Sequence, residues 1–346
     1  MNFDLNKIIR PTIKELKPYS SARDEFTGNG EVYLDANENP FETGLNRYPD
    51  PFQKKLKNKI SKIKNIPQDC IFLGNGSDEV IDLIFRVFCE PGKDEVILFP
   101  PTYGMYQVCA DINNIKTKKI SLTKDFEIDE INLFKNLNNN TKIIWICSPN
   151  NPTGNTMDPE VIKNILNSFN GIVVIDEAYI DFSDSQSWID FLDFHPNLFI
   201  IQTLSKAWGL AGLRLGMGFA SKKIISILNK IKPPYNINSL TQEKALEAVA
   251  YLEEKNEAVD IILNEKVKLI KNIKLIETVK HIYQSDTNFI LVKINNATNI
   301  YKELIERSII VRNRSNVSLC EDCLRITVGN SIENKKLLDA IKEITR

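Results

Sequence analysis

At 346 residues, the chain is too long for a small fold that depends on disulfides or a metal for its core, and it suits about two domains. Hydrophobic residues make up 42% and charged residues 26%, which supplies a real core and excludes an intrinsically disordered chain. The 44 Lys plus Arg and 45 Asp plus Glu leave a net charge of −1, so no field gathers a polyanion and nucleic acid is not an expected partner.

From Met1 to Tyr19 the chain is interrupted by Asp4, Lys7, Arg10, Lys14, Glu15 and Lys17, so a secretory leader is not expected. No later apolar run approaches the roughly 18 residues of a membrane span. Residues 1–45, rich in Pro, Asn and Gly, hold no sustained period and read as an extended arm. Short apolar runs follow at Ile71 to Leu73, Glu95 to Phe99, Ile143 to Cys147, Ile172 to Ile175, Leu198 to Ile201 and Leu213 to Ala220. They alternate with helical stretches such as Asp78 to Cys89 and Pro159 to Phe169. That alternation predicts an α/β domain over 46–236, with a mostly parallel sheet covered by helices on both faces.

Pro233 and Pro234 break the chain, and a long helical pattern runs from Ser239 well past Glu254. Strand-like Phe289 to Ile294, helical Thr298 to Arg307, strands near Ile309 to Val311 and Leu324 to Val328, and a closing helix from Glu333 predict a smaller α+β domain over 237–346. Cys320 and Cys323 form a CxxC, but Cys70, Cys89, Cys109 and Cys147 stand alone. Neither His195 nor His281 completes a second ligand pair, so no metal site is expected. Scattered thiols fit a reducing, cytoplasmic compartment.

Four features fall near the ends of predicted strands, where open α/β sheets place their ligands. Gly74 to Glu79 joins a strand to a helix, and its backbone can hold a phosphate at the helix start, although Ser77 could equally cap that helix. A third glycine of the dinucleotide fingerprint is missing where Glu79 stands, which disfavours a nicotinamide oxidoreductase. The run Ile172 to Ile175 ends in Asp176, an acid that can keep a ring nitrogen protonated, or simply cap a loop. Thirty residues on, Lys206 lies between Leu204 and Trp208, where desolvation can free its amine to condense with a carbonyl. Only 10 of the 44 basic residues are arginine, yet Arg214 and Arg325 stand in apolar frames where a forked, permanently charged donor suits phosphate or carboxylate. Together these are the protein-side needs of pyridoxal-phosphate chemistry.

The sequence resembles the fold-type-I, pyridoxal-phosphate-dependent aminotransferases, and within them the histidinol-phosphate subfamily. The runs that carry the likeness are Leu34 to Pro40, Asn46 to Asp50, Gly74 to Glu79, Pro101 to Tyr106, Pro149 to Gly154, Asp176 to Tyr179, Thr203 to Arg214 and Leu324 to Gly329. The resemblance implies that Lys206 binds the coenzyme aldehyde, that Asp176 pairs with the pyridine nitrogen, and that Tyr103 stacks on the ring. It implies Asn151 and Tyr179 at the ring oxygen, and Gly76, Ser77, Ser205 and Arg214 around the phosphate. Tyr48 is implied to reach in from a second subunit, which makes the enzyme a homodimer with shared sites. Arg325 would hold the substrate anion, with Tyr19 and Asn37 at the mouth. The implied substrates are L-histidinol phosphate and 2-oxoglutarate, in histidine biosynthesis.

Two departures bear on substrate choice: Met217 stands where relatives often carry an aromatic residue, and Asn330-Ser331 replaces a threonine-centred turn. Aromatic amino-acid aminotransferases and threonine-phosphate decarboxylases of the same fold are the rival substrate readings. A cofactor-binding protein without turnover is the rival from another class, and it would have no need of Lys206.

Overall fold

Apolar runs with no polar face must be covered on both sides, and such runs form the interior of one seven-stranded sheet. The strands are β1 (Ile71–Asn75), β2 (Glu95–Leu98), β3 (Lys116–Lys119), β4 (Thr141–Cys147), β5 (Ile172–Asp176), β6 (Leu198–Thr203) and β7 (Leu215–Ala220), in the order β1-β7-β6-β5-β4-β2-β3. The computed structural model describes residues 3–19, 30 and 32–345. Strands β3, β2, β4, β5 and β6 run parallel to one another, while β7 is antiparallel to both β6 and β1. Alternate residues divide between two cores. Ile97, Ile144 and Val173 face one, and Val96, Trp145 and Val174 face the other.

Helices α1 (Leu5–Ile8) and α2 (Pro11–Glu15) lie within the predicted arm, so that segment is less extended than its composition suggests. Ile8 and Ile9 are buried in the second core, and the Arg10 amide donates to the Val87 carbonyl. Helices α3 (Lys54–Lys64), α4 (Ser77–Phe88), α5 (Met105–Ile112), α6 (Glu130–Asn136), α7 (Pro159–Ser168) and α8 (Lys222–Ile231) complete the larger layer structure. Strand β3 carries the sequence Lys-Thr-Lys-Lys and has no apolar signal; it sits at the sheet edge, where lysines oppose pairing with another chain.

The long helical pattern from Ser239 is two helices, α9 (Ser239–Ala248) and α10 (Leu252–Ile273). Their buried faces explain the break. Ala245 and Val249 pack into the core of the large sheet, whereas Leu269 and Ile273 pack into the core of the small domain. That domain holds β8 (Val279–Ile282), β9 (Phe289–Ile294), α11 (Ala297–Glu306), β10 (Arg312–Asn313), β11 (Cys323–Thr327) and α12 (Ser331–Ile344). Its sheet is antiparallel in the order β10-β11-β9-β8. The strand expected at Ile309 to Val311 begins at Arg312 instead, because Ile309 and Val311 pack onto the small-domain core ahead of the ladder.

Leu291, Cys320 and Cys323 of the small domain are buried in the core of the large sheet, so the two units share packing. Both thiols are free, and burial pushes Cys320 up to about 12 and Cys323 up to about 11. Among the described residues, no helix is long and apolar enough to cross a membrane, and no three His, Cys, Asp or Glu side chains gather as a metal site.

Candidate active site

A cavity of about 600 Å³ opens where Cys147, Asp176 and Thr203 end β4, β5 and β6. The small domain closes its other side with Arg312, Arg314 and Arg325. This is the carboxyl end of the parallel strands, where loops diverge and leave room for a ligand.

Adjacent acids at the end of β5 have opposite fates, as alternation along a strand requires. Asp176 enters the cavity, where its Oδ2 accepts from the Tyr106 hydroxyl at 2.6 Å and its Oδ1 from the Ala178 amide at 3.0 Å. Glu177 turns into the core and accepts from Ser187, the Trp188 amide and Gln202. Burial raises the Asp176 pKa, opposed by the two hydrogen bonds and by the nearby Lys206 charge. Asp176 therefore caps the turn at Ala178 with one oxygen and is held inside the cavity by Tyr106 with the other.

Lys206 follows β6 in the loop that reverses the chain into β7. Its Nζ lies 5.6 Å from the centre of the Tyr179 ring. Burial lowers its pKa, and the Arg325 charge adds to the effect. Tyr179 is buried and meets Phe289 edge to face at 5.2 Å, and the Arg325 guanidinium lies 5.2 Å from the same Phe289 ring. Arg325 also donates to Asn151 Oδ1. Tyr179, Asn151 and Arg325 therefore flank the lysine on the small-domain side.

The opposite end is built around α4. Gly76, with φ of +78°, is its N-cap, and no side chain caps the helix, so Ser77 is the first helical residue and not the cap. The Gly76 amide donates to the Arg214 carbonyl at 2.8 Å, and a Cβ at Gly76 would lie 2.5 Å from Arg214 Nη2. A Cβ at Gly216 would stand 2.3 Å from the Ser77 amide, so β7 also needs a glycine to approach this turn. Ser205 is fixed by Thr203, whose Oγ1 donates to Ser205 Oγ at 2.9 Å and accepts from the Ser205 amide at 3.1 Å. Arg214 Nη2 lies 3.5 Å from Asp78 Oδ2, and Tyr103 donates to Asp78 Oδ1 at 3.2 Å.

This donor set fits a phosphorylated pyridine aldehyde. A helix start, serine hydroxyls and a guanidinium suit the phosphate, a buried carboxyl suits a ring N–H, Tyr103 offers a stacking face, and a lysine of lowered pKa lies within the same cavity. Gly76, Ser77, Tyr103, Asn151, Asp176, Tyr179, Ser205, Lys206, Arg214 and Arg325 are thus brought together. Tyr48 and Asn37 are not: they line a separate cavity of about 440 Å³ with Arg47 and Leu240. There Tyr48 stacks on Tyr235 at 4.4 Å. Tyr19 is exposed, next to residues outside those described.

Sequence reasoning assigned no role to Tyr106, Asp78, Arg312 or Arg314. The last two carried a legible signal, since they are scarce arginines two apart in a strand-like run and so share a face. Met217 is buried in the core of the large sheet and does not line the cavity. Asn330 caps α12 in a capping box with Glu333, doing locally what a threonine-centred turn would do.

The aminotransferase class I and II family matches residues 32–341. The chain belongs to that family. It is 55% identical over 345 residues to a histidinol-phosphate aminotransferase of Christiangramia forsetii, covering 99% of each chain. It is 53% identical over 347 residues to the one of Flavobacterium psychrophilum, again covering 99% of each. Its fold is similar to the crystal structure of a histidinol-phosphate aminotransferase from Clostridium acetobutylicum, with TM-score 0.80 and 24% identity over 87% of this chain and 91% of that one. A Sinorhizobium meliloti histidinol-phosphate aminotransferase, solved in complex with pyridoxal 5'-phosphate, gives TM-score 0.80 and 23% identity over 87% and 83% of the two chains. The membership agrees with the fold type and reaction class expected from the motifs, and it leaves the oxidoreductase reading without support.

Proposed function

We propose that the protein is a cytoplasmic, homodimeric enzyme that uses pyridoxal 5'-phosphate to move the amino group of L-histidinol phosphate to 2-oxoglutarate. The products are imidazole acetol phosphate and L-glutamate, within histidine biosynthesis. The observation that carries the substrate reading is identity above half, over nearly the full chain, to relatives that bear this name. The reaction class also has support from the residues gathered in the cavity. When bound, the coenzyme supplies an aldehyde that takes up the amine and a cationic ring that accepts electrons.

The chain's own residues carry the remaining work. Lys206, unprotonated at lower pH than an exposed lysine, takes the proton from the reacting substrate carbon and returns it one position away. Asp176 holds a proton on the ring nitrogen and is itself held by Tyr106 and the Ala178 amide. Gly76, Ser77, Ser205 and Arg214 are assigned to the phosphate, Tyr103 to the ring face, and Asn151 and Tyr179 to the ring oxygen. Arg325 is assigned to the substrate anion, which is a phosphate in one half-reaction and a carboxylate in the other; a guanidinium fork suits both. Tyr19 and Asn37 are assigned to the mouth, and Tyr48 to the site of a second copy of the chain. In this reading the chain divides into an arm at 1–45, a cofactor domain at 46–236 and a small domain at 237–346, whose first helix packs into the core of the large sheet.

A donor panel with 2-oxoglutarate as acceptor tests the reading. Histidinol phosphate should exceed phenylalanine, tyrosine and threonine phosphate by at least tenfold in kcat/KM, with a visible absorbance band that borohydride alters. Preference for an aromatic amino acid, or carbon dioxide release from threonine phosphate, would overturn the donor. A colourless protein that cannot be reconstituted would overturn the reaction class.

A further inference from the structure

The small-domain side of the cavity carries more positive charge than one substrate anion explains. Arg312 and Arg325 stand opposite each other in the β10/β11 ladder. The Arg314 amide extends that ladder by donating to the Cys323 carbonyl at 2.9 Å. All three arginines line the cavity. Among the described residues, none of the three makes a salt bridge, and the buried Nε atoms of Arg314 and Arg325 have no hydrogen-bond partner. The acids of the cavity are already engaged: Asp176 with Tyr106 and Ala178, Asp78 with Arg214 and Tyr103. Arg314 therefore faces two like charges and no carboxylate, and burial with that repulsion lowers its pKa to about 10. Such a group costs stability unless a ligand supplies the missing anion.

Geometry says which anion. Arg325 faces Arg312 across the ladder, and Arg314 stands two residues further on, so Arg314 is displaced from the Arg312/Arg325 pair by a strand repeat of about 7 Å. A phosphate is one compact anion and needs only one such position. A five-carbon diacid carries two carboxylates with three carbons between them, which matches two guanidinium positions along the strand. We propose that Arg314 is a specificity-determining residue that holds the distal carboxylate of the dicarboxylate substrate, while Arg325 holds the anion next to the reacting carbon. This deepens the proposed function and rests on it for the identity of the diacid. The cavity then serves two chemically unlike substrates by sharing Arg325 and using Arg314 in the dicarboxylate half-reaction.

The test titrates the holoenzyme by calorimetry with glutarate, butyrate and inorganic phosphate. None of these can react. R314Q should weaken glutarate at least tenfold while butyrate and phosphate change less than threefold, and R314K should recover part of the loss. In steady state, the kcat/KM ratio of 2-oxoglutarate to amine donor should fall at least fivefold in R314Q. Equal weakening of all three probes, or unchanged glutarate binding, would overturn the proposal. If thermal melting shows that R314Q does not fold, the wild-type comparison decides: glutarate should bind at least tenfold more tightly than butyrate, and equal affinities would overturn the assignment. Failure of the wild type to use histidinol phosphate would remove the donor reading and leave the glutarate result standing.

Discussion

The Tyr106 hydroxyl donates to Asp176 Oδ2 at 2.6 Å, and both side chains are buried. Tyr106 is in turn stacked on Trp145 at 4.9 Å, so one oxygen of the acid is positioned from the hydrophobic core while the other is held by the loop amide of Ala178. Tyr106→Phe removes one of the two donors that oppose the effect of burial on Asp176. A hydrogen bond to a charged group contributes about 1.5–3 kcal/mol. The expected result is a fall in kcat of about tenfold or more, with the acid limb of the pH–rate profile moved to higher pH. An unchanged profile would show that Asp176 does not depend on this contact.

Asp176 also has a sign-definite effect on stability. Its folded pKa lies above the ordinary carboxylate value because of burial. Below the ordinary value both states are protonated and the group contributes nothing. As pH rises through the window above it, the unfolded chain releases its proton first, so the folded state loses stability. In the cofactor-free protein, Asp176→Asn should therefore melt higher than wild type at pH 7, and the gap should close near pH 4. Transamination should be abolished in the same variant. Thermal scans at the two pH values check the first claim, and an equal gap at both would contradict it.

Much of this arrangement was readable from the residues because burial on both faces imposes unbroken apolar strands, and Asp176 and Lys206 lie at or beyond the ends of two of them. Strand β3 was not readable, since an edge strand made of lysine and threonine has no apolar period. The division of α9 from α10 was not readable either: each half is a good helix, and only the two separate cores they pack against require the break. Tyr106 was silent for a related reason. An aromatic residue on a helix is ordinary core material until the fold places Asp176 beneath its hydroxyl. Arg312 and Arg314 were legible by the same scarcity of arginine that singled out Arg214 and Arg325.

Lys206 combines burial with the nearby charge of Arg325, and both lower its pKa. Lys206→Ala should reduce kcat by at least about 1,000-fold, within the range of general acid–base catalysis combined with loss of the nucleophile. Cofactor should still bind through the phosphate end, measurable by equilibrium dialysis. Lys206→Arg should show the same loss of rate, since a guanidinium keeps the charge and cannot deliver a neutral amine. Wild-type-like turnover in either variant would refute the assigned role.

Gly76 meets two demands at once, a φ of +78° and room for the Arg214 guanidinium. The Gly76→Ala methyl would lie 2.5 Å from Arg214 Nη2, so the guanidinium must move. With ψ at 165° the backbone lies in a region populated almost only by glycine, and the penalty is about 1–3 kcal/mol. The melting temperature should fall by several degrees, and cofactor dissociation should become at least tenfold faster. Gly209→Ala provides the control, because that residue also has positive φ but open space around its Cβ position. It should share the loss of stability and keep the cofactor; equal cofactor loss in both variants would show that the Arg214 contact is irrelevant.

The second cavity, with Asn37 and Tyr48, adjoins apolar side chains that have no cover in the single chain. Leu34 is 89% exposed and Phe41 77% exposed, and Val32, Leu45 and Leu240 are exposed nearby in sequence or in the same cavity. Such a grouping marks an interaction surface. If Tyr48 serves the site of a second copy, breaking this surface should damage the active site from a distance. Leu34→Asp combined with Phe41→Asp should convert a dimer to monomers in sedimentation velocity and weaken cofactor retention, with the fold of each chain intact by circular dichroism. Tyr48→Phe should leave the dimer unchanged and weaken the cofactor alone, by several-fold. A wild-type protein that sediments as a monomer while fully active would refute the shared site, because Tyr48 lines a cavity that does not contain Lys206.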